Sequence, residues 1–254
     1  MKDWLKLLAA ESAKLRRLAV LRAVALSLLL GPGVMVVILS LVSVDIRTIV
    51  ASPADIILGS VVLLAAFGGV VLAATMFGRE FDLGTARVML LRGIPRGGFL
   101  LAKLAVAILT VTILSLLAAL VGVAETLLAG WQPTAAHAAQ VVWSVVWVVP
   151  LVSFAYVGFT ALGAILGRSV AAGMLAGLAL FLADFLLTTL GSRIPFGEWL
   201  PVTNMFALLG ETFGLMLAGN VELSVGVAAL HLAGFGAVTV VAGWFLFARG
   251  DIHR

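Results

Sequence analysis

The chain has 254 residues, of which 63% are hydrophobic and only 11% charged, with a formal net charge of +4 and no cysteine. A soluble domain carries roughly 45–50% apolar and about 25% charged residues, so this composition, with a mean hydropathy of +1.23, excludes a soluble enzyme, a nucleic-acid module and a disordered scaffold. Without cysteine there is no disulfide framework, thiol nucleophile or Cys-based metal site.

The first predicted element is an amphipathic helix over Met1–Ala19. At 100° per residue, Trp4, Leu8, Leu15 and Ala19 share one face, while Lys2, Lys6, Lys14 and Arg17 occupy the other. That pattern lies in a membrane interface, with its basic residues toward the headgroups. Glu11 falls at the edge of the apolar face, where a carboxylate is costly unless paired. It is read either as solvated or as paired with an arginine of the next cytoplasmic segment.

Six stretches then reach the roughly 20 apolar residues needed to cross a bilayer: Ala23–Val44, Ile56–Phe77, Phe99–Leu128, Val141–Gly167, Val170–Gly191 and Leu223–Ala248. They are continuously apolar rather than alternating, which excludes a strand barrel. The first is too long for the roughly 7–15-residue core of a signal peptide and is expected to stay in the mature protein. The Gly31-Pro32-Gly33 run and Pro150 are expected to kink or loosen their spans. The third span carries Lys103 near its start and Glu125 near its end.

Two connecting segments carry further information. In 78–98 the pattern predicts a short helix from Asp82 to Arg92, with Asp82 as N-cap and Gly93 and Pro95 ending it. Phe81, Thr85, Val88, Met89 and Arg92 would form one mostly apolar face. Such a face either docks a cytosolic partner or lies along the membrane. Segment 192–222 is broken by Pro195, Gly197, Pro201, Gly210, Gly214 and Gly219, yet is too apolar for an exposed loop. It predicts one or two short helices dipping back from the outer surface, either shielded by protein or lining a wet cavity.

Orientation follows from lysine and arginine. The N-terminal segment, the second-to-third connection, Arg168 and the C-terminal tail hold fourteen of them, against Arg47 and Arg193 on the other side. Both termini are therefore expected in the cytoplasm, and the pI near 10.1 reports topology, with no nucleic-acid partner implied. The chain reads as an all-α integral membrane protein with six transmembrane helices forming one transmembrane domain over 1–254.

Several motifs occur together on this frame: E-x-x-K-L-R-R over Glu11–Arg17, E-x-x-x-G-T at Glu80, Gly84 and Thr85, then L-L-R-G-I-P-R and Lys103, and F-x-R-x-D-I from Phe247 to Ile252. In this order over essentially the full length, the chain resembles permease subunits of ABC exporters of the ABC-2 type. The resemblance implies that residues 1–19 are an elbow helix, with Trp4, Leu8, Glu11 and Lys14 as its informative positions. It implies that 78–98 holds a coupling helix docking on an ATP-binding subunit through Glu80, Phe81, Gly84, Thr85, Arg87, Val88, Met89, Arg92 and Arg96. It further implies two ATP-binding subunits, a second permease copy as homodimer or related heterodimer, an outer gate at 192–222, and a bacterial or archaeal plasma membrane.

There is no G-x-x-x-x-G-K-[ST] in the chain, so ATP hydrolysis and its Mg-ATP are expected on a partner, with no cofactor and no catalytic residue here. The substrate class expected is amphipathic: a drug, a peptide or a lipid-like molecule. Asp184, His231 and Thr188 are the candidate polar positions of a translocation path. Asp184 lies about 10 Å and His231 about 12 Å from the outer ends of their spans at 1.5 Å per residue, so they could share a depth and pair. That would make them a path wall, a proton relay of a proton-coupled secondary transporter, or a structural hydrogen bond. His137 and His253 are isolated, and no metal site is expected. Gly163–Gly167 and Gly173–Gly177 are spaced for close helix packing. An intramembrane enzyme has no support, because H-E-x-x-H and G-x-S-x-G are both missing.

Overall fold

A computed structural model describes residues 2–41, 53–91, 95–128, 134–189, 197–213 and 223–249, and every regular element among them is helical. Helix α1 (Lys2–Arg16) is followed by α2 (Ala19–Leu41), the pair bent by 78°. The bend is held by tight i→i−3 bonds, Arg17 N–H to Lys14 O at 3.1 Å and Leu18 N–H to Leu15 O at 3.0 Å. Then come α3 (Pro53–Asp82), α4 (Thr85–Leu91), α5 (Arg96–Leu128), α6 (Ala135–Gly167) and α7 (Val170–Thr189). A 3₁₀ turn (Gly197–Trp199), α8 (Pro201–Phe213) and α9 (Val225–Arg249) complete the described chain.

Five of these helices, α3, α5, α6, α7 and α9, are long and apolar enough to cross a membrane, and the bent α1–α2 pair is a sixth candidate. Helices α3, α5 and α6 have 30, 33 and 33 residues, about 45–50 Å at 1.5 Å per residue. They outrun the roughly 30 Å hydrocarbon core. The extra turns explain why the helices pass the ends that hydropathy marks: α3 continues past Phe77 to Asp82, and α6 starts at Ala135. Hydropathy reports contact with lipid, whereas backbone bonding and caps set the helix end. At α6 the Thr134 side chain accepts from His137 N–H at 3.3 Å.

Helices α3 and α6 pack along each other at the centre, ringed by α2, α5, α7 and α9. The apolar stretch of α3 is 67% buried and that of α7 only 17%, so α7 leaves much of its surface uncovered by the rest of the chain. Close approach of α7 depends on small residues: a methyl on Gly177 would collide with Thr160 and Val70, and one on Gly163 with Ala176. The glycine pairs marked by spacing therefore lie at the α3–α6–α7 contact. Pro32 and Pro150 both sit inside uninterrupted helices, so neither divides its span.

The short helix of the second-to-third connection is shorter than expected. It begins at Thr85 and not at Asp82, because α3 runs through Asp82 and the chain turns at Gly84, whose φ of +65° is the left-handed conformation that glycine adopts without steric strain. Asp82 is not its N-cap. The Asp82 carboxylate instead accepts from Val170 N–H at 3.3 Å, and with Ser169, which accepts from Ala172 N–H at 3.1 Å, it caps α7.

Helix α8 is enclosed by α3, α6, α7 and α9, and Pro201 through Leu209 are all buried. A short helix can sit there because its backbone donors and acceptors are satisfied internally and at its capped start.

Candidate functional site

Four charged side chains from three helices meet at the basic end of the bundle. Lys103, in the second turn of α5, donates from Nζ to Glu11 Oε2 at 2.7 Å and to Glu80 Oε1 at 3.1 Å. Lys14 donates to Glu11 Oε1 at 2.9 Å and to Glu80 Oε1 at 3.1 Å. Thr85 Oγ1 donates to Glu80 Oε2. All four carboxylate oxygens are thus matched, and the third face of the Lys103 ammonium lies 5.0 Å from the Phe99 ring centroid.

Burial makes the matching compulsory. The side chains of Lys103 and Glu11 are 2% and 1% exposed, and an isolated buried ion costs several kcal/mol. Lys14 is 46% exposed, so its own pairs contribute little. Burial would lower the Lys14 pKa; the hydrogen bonds and charges of Glu11, then Glu80, reverse that and hold it above the usual lysine value. The ammonium therefore stays charged throughout the neutral range. Glu11 is accordingly neither solvated nor paired with arginine: its partners are two lysines.

The E-x-x-x-G-T motif acquires a geometric reason here. Gly84 N–H donates to Phe81 O at 3.0 Å while its positive φ turns the chain back. Thr85, the first residue of α4, then returns to Glu80 in the last turn of α3. The short helix is in this way fastened to the same carboxylate that binds Lys14 and Lys103.

The expected apolar face of this helix is divided. Phe81 and Met89 pack against the core and Ala86 is buried, whereas Val88 is 48% and Leu91 77% exposed. Met89 therefore does not lie on the outward face with Val88; at α-helical spacing the two point about 100° apart. The outward apolar residues are Val88, Leu91 and, just before the helix, Leu83. The Arg87 side chain and all of Arg92 lie outside the described residues.

Arg96 is not free to reach a partner. Its guanidinium donates to Phe247 O at 2.9 Å and to Ala248 O, satisfying terminal carbonyls of α9 with a cation at the negative end of the helix dipole. The Phe247 ring packs edge-on against Phe81, at 6.2 Å, and stacked on Phe99, at 5.7 Å. The end of α9 is thus tied to α3 and α5 beside the ion cluster.

On the elbow helix, Leu8 packs against the core while Trp4 is 43% exposed, the placement of an interfacial aromatic.

Asp184 and His231 do not pair. Buried Asp184 accepts through Oδ2 from Tyr156 O–H at 3.2 Å and from Val202 N–H at 2.7 Å. It caps the start of α8, where a carboxylate is favoured by the orphan N–H groups and the dipole. His231 bonds through Nδ1 to Glu198 O at 3.1 Å and Asn204 Oδ1 at 3.2 Å, and stacks on Trp199 at 4.2 Å. Since Asn204 Nδ2 donates to Glu198 O and Leu200 O, both at 2.8 Å, its Oδ1 accepts, and the histidine carries its proton on Nδ1. The two span residues hold different parts of one re-entrant segment: α7 fixes the start of α8, and α9 fixes the turn before it. The Thr188 side chain lies outside the described residues. No group of three or more potential metal ligands occurs among the described residues.

Sequence reasoning missed the role of Lys103, Tyr156 and Asn204. For Lys103 the signal was present: a lysine inside an apolar helix needs a counter-ion, and Glu11 and Glu80 lie on the same side of the membrane as drawn from the charges. For Tyr156, the only tyrosine in the chain, its pairing with Asp184 depends on helix rotation that no spacing rule gives.

A multi-pass helical bundle with a bent first helix, a short helix fastened to it by buried charges, and a buried short helix at the other end is the architecture of an all-α integral membrane protein. Residues 7–183 match the family described as ABC-2 family transporter protein, and the chain belongs to that family. Comparison with curated proteins gives no significant match. Membrane domains of this family are generally non-catalytic transport components that typically work with ATP-binding subunits.

Proposed function

We propose that the chain is the permease subunit of an ATP-driven exporter of an amphipathic substrate, working as a pair of permease chains with two separate ATP-binding subunits that carry Mg-ATP. Both termini then face the cytoplasm, in a plasma membrane. The observation that carries the reading is the ion cluster joining α1, α3 and α5 to the first residue of α4. A push on α4 from a docked ATPase would reach three helices at once through Glu80.

Docking energy would come from Val88, Leu91 and Leu83, since exposed charge pairs contribute only about 0–1 kcal/mol. ATP-driven closure would bias two arrangements of the permease pair, with α8 and its anchors Asp184 and His231 forming the outer gate. The alternative, a proton relay through these two residues, would need an intermediary, because no hydrogen bond joins them. The direct test is co-purification of an ATPase with the tagged chain, followed by substrate-stimulated ATP hydrolysis. An ATPase that fails to bind, or transport that persists with ATP depleted and stops with a proton uncoupler, would overturn the reading.

A further inference from the structure

Beside the ion cluster, between the elbow helix, the end of α3 and α4, lies a groove of about 450 Å³. Its wall is apolar, formed by Leu18, Met76 and Met89 among others, and it reaches Thr75. That residue is about 10 Å along α3 from Asp82 at 1.5 Å per residue. Four basic and two acidic side chains line it. Lys14 and Lys103 are matched by Glu11 and Glu80. Arg17 and Arg79 are both exposed and have no carboxylate within salt-bridge distance among the described residues.

We infer that this groove is a binding site for an anionic phospholipid of the adjoining leaflet, its phosphate held by Arg17 and Arg79 and an acyl chain laid along Leu18, Thr75 and Met76. Charge complementarity points to this occupant. Two uncompensated guanidiniums at the mouth of an apolar slot match a phosphodiester attached to a hydrocarbon chain, and arginine binds phosphate through paired N–H donors. The level also fits. Helix α1 is interfacial, so Arg17 at its end sits among headgroups, where clustered cations attract anionic lipid. Leu83 and Val88 line the α4 side of the groove, so a protein partner seated on the outward face of α4 would cover its rim, whereas Thr75 lies about 10 Å further along α3 than Asp82. A lipid seated here touches both the elbow and α4, and so would hold them together. The site does not depend on transport direction or on the identity of any ATPase.

The test uses the full-length chain in detergent, given equimolar phosphatidylglycerol and phosphatidylcholine, with bound lipid counted by native mass spectrometry. The wild type should retain phosphatidylglycerol preferentially. Arg17→Gln/Arg79→Gln should lower that retention about tenfold with phosphatidylcholine unchanged. Leu18→Trp, which fills the groove and leaves the charge intact, should lower it too. Arg16→Gln/Arg22→Gln removes two nearby cations outside the groove and should leave it unchanged.

No preference in the wild type, an equal loss in both arginine pairs, or full retention in Leu18→Trp would each overturn the site. So would unchanged lipid retention accompanied by lost ATPase binding in Arg17→Gln/Arg79→Gln, which would make the groove a protein-docking surface. Absence of any ATPase partner would leave the lipid count unaffected, so the two readings fail separately.

Discussion

Lys103 Nζ lies 2.7 Å from Glu11 Oε2, across 92 positions of sequence, with both side chains almost fully buried. Neither ion is tolerable there alone, so the pair ties the fold of the elbow to the fold of α5. Lys103→Met should destabilise the protein by about 3–5 kcal/mol, the usual cost of stranding a buried charge. Lys14→Met, at a half-exposed position, should cost no more than about 1 kcal/mol. The double variant Glu11→Gln/Lys103→Met should be less damaged than the sum of its singles. Equilibrium unfolding in mixed micelles measures all four, and strict additivity would show that the two groups do not interact.

Transport coupling and folding should separate on α4. Val88→Asp and Leu91→Asp place a carboxylate on the outward face, so the chain should express and purify normally while ATPase binding falls at least tenfold. Ala86→Asp and Met89→Asp place it against the core and should lower thermal stability instead, by several kcal/mol. Pull-down of the ATPase and thermal unfolding are read on the same preparations. If Val88→Asp and Met89→Asp behaved alike, the division of this helix into an outer and an inner face would be wrong.

At the other end, Asp184→Ala removes the cap of α8, an effect worth about 0.5–2 kcal/mol, and leaves the Tyr156 hydroxyl unpaired. Tyr156→Phe removes one hydrogen bond and should cost about 1 kcal/mol. Hydrogen exchange should rise in α8 in the alanine variant while α3 and α5 keep their protection. Exchange that rises evenly over the whole bundle would mean that Asp184 supports general packing and not this one helix.

Two classes of glycine should respond oppositely to alanine. A methyl on Gly78 would run into the Val170 backbone, which cannot rotate away, whereas Gly226 and Gly234 have open space around them. Gly78→Ala should cost about 1–3 kcal/mol; Gly226→Ala and Gly234→Ala should be neutral or slightly stabilising. Melting temperatures in detergent decide it, and a neutral Gly78→Ala would contradict the tight α3–α7 approach.

Much of the architecture follows from one-dimensional properties. A run of apolar residues long enough to span must be a helix in lipid, because no water remains to bond its backbone, and this makes spans legible without knowledge of neighbours. The buried helix α8 was legible for the same reason: residues 192–222, of which 197–213 are described, are too apolar for water and too broken for a span. The helix of the second-to-third connection was legible in kind, but its start was not. Asp82 looks like an N-cap in sequence, and only the packing of α7 beside α3 turns it toward Val170.

The positions of Asp184 and His231 show the limit from another side. Depth along a helix is set by residue count, and both do reach the same re-entrant segment. Rotation about the helix axis is set by packing of all the neighbours, and it directs one toward Tyr156 and the other toward Asn204.

Composition and the distribution of charge by themselves determined a helical membrane protein with a basic end, because transfer from water to lipid depends on each segment alone. The tertiary structure decided that Lys103 is a buried partner of Glu11 and Glu80 and that Arg96 closes the end of α9. Charge pairing in a low-dielectric interior acts over a few ångströms, and which residues come that close is fixed only when the helices pack.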